Sequence, residues 1–158
     1  MKYLFNPVTD YDFRFYSDDK NSHITFTLEE YVQNHLPSLS CSIEVSDNKF
    51  KGWNINVWFK LEELHKFISE LQEFSKSRKG KVSLSAMSSD DFDITFESRN
   101  QKGDVITFYS LSKYNNEIPI KTTLTGGFQF DSEFLLKLID DLKQFTSVAE
   151  IGTDITFI

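Results

Sequence analysis

The stretch Phe50–Phe74, FKGWNINVWFKLEELHKFISELQEF, changes its period halfway along. Up to Phe59 the apolar residues Trp53, Ile55, Val57 and Phe59 fall on alternate positions, the spacing of a strand with one face on a core. This alternation predicts that Trp53 is buried beside Val57 and Phe59, and that Trp58 faces the opposite side. From Leu61 onward the spacing becomes helical, and Leu61, Leu64, Phe67, Ile68, Leu71 and Phe74 form one stripe. Glu62 and Glu63 stand in the first turn, and Lys76, Arg78 and Lys79 near the last, the charge order that suits a helix dipole. Gly80 is the expected C-cap.

The same construction returns in Thr123–Phe145, TLTGGFQFDSEFLLKLIDDLKQF. Phe130 stands where Phe59 stood, Leu135 where Leu64 stood, and Ile139, Leu142 and Phe145 match Ile68, Leu71 and Phe74. Asp131 or Ser132 is the expected N-cap, with Phe134 the first residue of the apolar stripe. Two origins fit: an internal duplication, or convergence of two strand-to-helix units on one packing pattern. Either way the repeat is architectural, because its matched positions are mostly apolar.

Elsewhere the period is two. Ile24, Phe26 and Leu28 alternate, as do Leu39, Cys41, Ile43 and Val45, then Val82, Leu84 and Ala86, then Phe92, Ile94 and Phe96. Asp104–Leu111 and Ile118–Phe130 read as further strands, with Gly126 and Gly127 marking an expected bulge. Gly103 and the pair Asn115–Asn116 supply turns. Short links favour antiparallel neighbours. The expected fold is therefore α+β: a largely antiparallel multi-stranded β-sheet with two amphipathic helices, about 61–78 and 132–146, packed on it. The chain reads as a single domain, 1–158, with a two-unit pseudo-repeat over 24–78 and 81–146. Segment 1–21 suggests no role, and Ile151, Ile155 and Phe157 suggest a last strand in the tail 147–158.

Composition narrows the function. Sixteen Phe in 158 residues can build a large core and leave aromatic surface for a partner. The formal net charge of -7, and the scatter of the only arginines, Arg14, Arg78 and Arg99, argue against direct nucleic-acid binding. They suit a basic partner. One cysteine, Cys41, cannot form an intrachain disulfide, and its alternating context predicts a small core residue. The N-terminus has neither the length nor the pattern of a signal peptide, and no apolar run reaches membrane-spanning length, so a cytoplasmic, non-membrane protein is expected.

No catalytic motif is present. His23, His35 and His65 lie far apart, outside any ligand spacing, and no nucleophile elbow, phosphate loop or dinucleotide fingerprint occurs. Neither a metal nor a cofactor is expected. The acidic run Ser88–Glu97, SSDDFDITFE, lacks the glycine and glutamate spacing of a calcium loop, and reads as a hairpin turn entering a strand. It also offers a contact surface for a basic partner: Asp90, Asp91, Phe92, Asp93 and Glu97, with the outward Trp58 a further candidate. Asp18–Asp19 and Asp140–Asp141 would extend that field if they lay on the same side.

Taken in order, Phe50–Gly52 as an F-x-G turn, Val57–Phe59 as VWF, the EEL helix with Phe67, Leu71 and Phe74, the Gly103 hairpin and FQFD at Phe128–Asp131 leading into Leu135 and Leu142 resemble the WapI-type immunity proteins of bacterial polymorphic toxin systems. The resemblance covers Ile24–Phe145. It implies a non-enzymatic protein that binds a cognate toxin domain, nucleases among such toxins, as in contact-dependent inhibition, and it carries no catalytic residues across. The alternative from another class is a small-ligand or carbohydrate-binding domain using exposed aromatics such as Trp53, Trp58 or Tyr109. A concave pocket holding Trp58 would favour it.

Overall fold

A computed structural model describes residues 11–34, 36–88 and 90–151. Among the described residues, eight strands form two four-stranded antiparallel meanders, each followed by a helix. The first unit comprises β1 (Asp12–Tyr16), β2 (Ser22–Val32), β3 (Ser38–Asp47), β4 (Phe50–Lys60) and α1 (Leu61–Ser77). The second comprises β5 (Lys81–Ser85), β6 (Phe92–Ser98), β7 (Val105–Tyr114), β8 (Lys121–Phe130), a short 3-10 turn (Ser132–Phe134) and α2 (Leu135–Ile151). Every pairing within a sheet joins neighbours in sequence, as short turns favour. The α+β class and the antiparallel pairing agree with the sequence, and the strands are shared between two sheets. The segment without an assigned role supplies β1, whose Phe13 and Phe15 enter the core. Ile151 closes α2, and the strand expected from Ile155 and Phe157 lies outside the described residues.

The inner faces of both sheets and the apolar stripes of both helices share one core. Aromatic rings knit it together. Phe13 stacks on Phe26 at 4.9 Å between centroids, Phe26 meets Phe92 edge-on at 5.7 Å, and Phe96 meets Phe130 at 5.5 Å. The residues matched between the two strand-to-helix passages, Phe59 and Phe130 through Phe74 and Phe145, are all buried. Phe134 departs from the stripe. The chain enters α2 through the 3-10 turn, which rotates Phe134 outward beneath Lys20, whose Nζ lies 4.5 Å from the ring centroid.

The ends of α1 and the glycine pair also differ from expectation. The left-handed C-cap of α1 is Arg78 (φ 52°), two residues before Gly80. Its backbone N–H donates to Phe74 O, and its guanidinium donates to the carbonyls of Ser75, Gly103 and Ser132. These bonds hold an arginine where glycine is usual, and they tie α1 to the β6–β7 turn and the start of α2. Asp131 caps the second helical segment as expected, accepting from Glu133 N. Gly126 and Gly127 lie in regular register opposite Tyr109 and Phe108, with no bulge. They make room instead: a Cβ on Gly126 would stand 2.6 Å from the Tyr109 hydroxyl, and one on Gly127 2.7 Å from Thr107 O.

The bulges lie in the first sheet. Leu28 faces Cys41 and Glu30 faces Ser40, which leaves Glu29 extra on β2. On β4 the register passes from Val57 opposite Cys41 to Asn54 opposite Ile43, so three residues of β4 span two of β3. Asn56 takes up the slack at φ 55°. Such a bulge bends the strand and re-aims the side chains beyond it.

A cleft at the seam between the sheets

The β4 bulge inverts the expected alternation. Val57 and Phe59 are buried as predicted, whereas Asn54 turns inward and Trp53 and Ile55 are turned out, Trp53 to 66% exposure. Buried Asn54 finds partners in the second sheet: its side-chain amide donates to Ser112 O at 2.8 Å and to Asp91 O at 3.3 Å. A second polar bridge lies nearby. The Tyr109 hydroxyl donates to Asp47 Oδ2 at 2.6 Å, while Ser22 Oγ donates to Asp47 Oδ1 at 2.7 Å. Tyr109 is thus buried rather than an exposed ring. Burial, then the hydrogen bond to Asp47 and that carboxylate's charge, push the Tyr109 phenol far above its ordinary range.

Between β4 and the β7–β8 hairpin this seam opens into a cleft of about 750 Å³. Trp53 and Lys51 stand on one wall, Tyr114 and Lys113 on the other, and Asn116 and Glu117 at the hairpin end. Gly52 forms part of the floor, pressed so closely on the second sheet that a Cβ would lie 2.8 Å from Leu124 Cδ2. An adjoining lobe of about 290 Å³ shares Asn54, Lys113 and Tyr114 and adds Ile55, Asn56 and Asp91. Ile118 and Ile120, on the hairpin itself, are also exposed.

The predicted acidic surface divides across this architecture. Asp90 is exposed at the β5–β6 turn and pairs with Lys121 at 3.1 Å. Asp91 is half-buried and lines the smaller lobe. Burial, then the Asp90 charge, raise its carboxyl above the usual range, and burial raises that of Asp93. Asp93 lies half-buried on the outer face of the second sheet, opposite Ser85 and Ser110. Glu97 lies on the same face about 13 Å farther along β6, opposite Lys81, so it belongs to the far end of the strand. Phe92 is fully buried against Phe26 and Phe59, because it occupies the inward phase of β6. Trp58 is half-buried on β4, where its carbonyl accepts from Met87 N, and it does not line the cleft. Asp18 and Asp19 do not join the field. Asp18 N bonds Gln129 O, at the opposite end of β8 from Lys121, about 26 Å away along the strand.

The remaining candidates form no common cluster among the described residues. Cys41 is buried with its thiol against Val57 O, and burial raises its pKa well above the ordinary value. His23 lies 3.4 Å from Glu44, His65 is exposed on α1, and His35 lies outside the described residues. Among the described residues no three His, Cys, Asp or Glu side chains gather as metal ligands, and no helix is long and apolar enough to cross a membrane.

No curated protein matches the chain. Among solved structures, a chain from the crystal structures of Trypanosoma brucei MRP1/MRP2 is similar at 16% identity and a TM-score of 0.38, over 88% of this chain and 83% of that one. The family described as the immunity protein WapI-like family matches residues 14–148, from the middle of β1 nearly to the end of α2. That match takes in α1, seven whole strands and most of β1 and α2, and the chain belongs to the WapI-like immunity protein family.

Proposed function

We propose that this chain neutralises a cognate toxin domain by stoichiometric binding, without chemistry of its own. Membership of the immunity family across both structural units carries the reading. The net charge of -7 supports a basic partner, such as a nuclease domain, whose substrate site must hold phosphates. The complex would form in the cytoplasm. Its acidic contribution would come from Asp90, Asp91 and Asp93, without buried Phe92 and without Glu97, which is remote from the cleft. Reversing the charge of Asp91 and Asp93 together should weaken the complex and leave the domain folded.

The test starts with the immobilised chain and a lysate of the source organism. The expected result is retention of the C-terminal domain of a large secreted protein as an equimolar complex. Co-expression of this chain should then restore growth to cells producing that domain. A toxic domain that binds but still kills in the presence of excess chain would overturn neutralisation. Thermal stabilisation by a small molecule, with no protein retained, would favour the ligand-binding alternative.

A further inference from the structure

Resting on that reading, we propose that the seam cleft is the toxin's docking site, and that it accepts an exposed toxin loop bearing an apolar side chain followed by a lysine or arginine. The apolar side chain would enter between Trp53 and Tyr114, and the cation would meet Asp91 in the adjoining lobe.

Three observations lead there. First, the bulge that exposes Trp53 is a specific feature: Asn56 sits at positive φ, and Asn54 takes the inward place that alternation assigns to Trp53. Bulges are over-represented next to functional sites, where they re-aim a side chain. Second, Trp53 at 66% and Tyr114 at 53% exposure face a common cleft, with Ile55 beside them in the smaller lobe. Trp and Tyr are the residues that most often anchor protein interfaces from within a pocket. The Gly52 floor is tightly packed, so the cleft presents a fixed shape to its occupant.

Third, the Asp91 carboxylate has no hydrogen-bond or ion-pair partner among the described residues, although it is half-buried beside Asp90. Of the two carboxylates Lys121 pairs with Asp90 alone, and its Nζ also lies 5.7 Å from the Tyr114 ring centroid. Lys51, Lys113 and Glu117 also border the cleft, and Lys113 reaches the same lobe as Asp91. Lys113 is exposed and makes no hydrogen bond or ion pair with Asp91. Asp91 is therefore an acceptor in the lobe that still lacks a donor, which a lysine or arginine side chain can supply.

The probe is the toxin domain retained by the wild-type chain. Its binding is measured by calorimetry to the wild type and to Trp53→Ala, Tyr114→Ala, Asp91→Asn and Leu136→Ala. Leu136 is an exposed side chain near the start of α2, outside the cleft and away from the acidic turn, and serves as the remote control. Truncating either anchor should weaken binding about 30-fold or more, and Asp91→Asn about tenfold, with Leu136→Ala within about twofold. Circular dichroism should show all four variants folded.

A second readout avoids mutation of the anchor in the test sample. The chain has two tryptophans, so 5-fluorotryptophan labelling gives two 19F resonances, assigned with Trp53→Phe. The Trp53 resonance should move on complex formation. Equal affinities across the variants with an unmoved Trp53 resonance would overturn the cleft while neutralisation stands. Failure of the wild type to bind or protect against any toxin would overturn the function and, with it, the docking site.

Discussion

Replacing Tyr109 with Phe removes one hydroxyl from the bridge between the sheets. That hydroxyl donates to Asp47 Oδ2 at 2.6 Å from a residue only 3% exposed, beneath Gly126, where no side chain can take its place. A hydrogen bond to a charged acceptor contributes about 1.5–3 kcal/mol. Asp47 keeps its bond from Ser22 and is itself only half-buried, so the lower end applies. A loss of about 1.5 kcal/mol in a chain of this size lowers Tm by roughly 3–6 °C near pH 7. The pH dependence tests the cause. The phenol's pKa is raised by folding, so its stabilising contribution is complete below the unfolded value of about 10 and is lost as pH rises toward the folded value. The gap between wild type and Tyr109→Phe should therefore narrow between pH 8 and pH 11 when Tm is followed by circular dichroism. A gap that is absent at pH 8, or that does not narrow by pH 11, would refute the assignment of this bond as a buried inter-sheet link.

Substitutions at three further positions probe the same frame. Arg78→Ala retains the left-handed backbone and loses three carbonyl contacts, whereas Arg78→Gly loses the contacts but relieves the backbone, so the glycine variant should be the more stable by about 1 kcal/mol in urea titration. Gly52→Ala would place a methyl against Leu124 and Leu111 and should cost about 1 kcal/mol, the low end for overpacking because the ends of leucine side chains can yield; its denaturation midpoint should fall with an unchanged slope. Phe92→Ala, at a fully buried ring shared by both sheets, should cost about 3–5 kcal/mol, and a smaller loss than Gly52→Ala produces would contradict its place in the core.

The elements were legible where local pattern and tertiary packing demand the same thing. Both helices announced themselves through stripes that, Phe134 apart, the core then buries, and the alternation in β2, β3 and β6 matched their inward faces. β1 was not legible, because five residues with two Phe become a strand only when β2 is present to pair with them. Arg78 displaced Gly80 as the cap through contacts with Gly103 and Ser132, residues remote in sequence. The glycine pair in β8 resembled a bulge, but it answers the bulk of Tyr109 and the close backbone of β7, a demand written on another strand.

The site was hardest to read for the same reason in a stronger form. Alternation assumes a constant register, and one extra residue in β4 reverses the facing of everything before it. That single insertion moves Trp53 from the expected core to a cleft wall and turns Asn54 inward to bridge the sheets. No local signal in WNINVWF marks Asn56 as left-handed; asparagine merely tolerates it, and the partner register on β3 selects it. Asp91 was singled out for its charge, but its half-buried place at the end of that cleft follows from how the two sheets meet. A bulged strand whose alternation fails at an aromatic residue thus marks where folding has exposed a large ring that regular pairing would have buried.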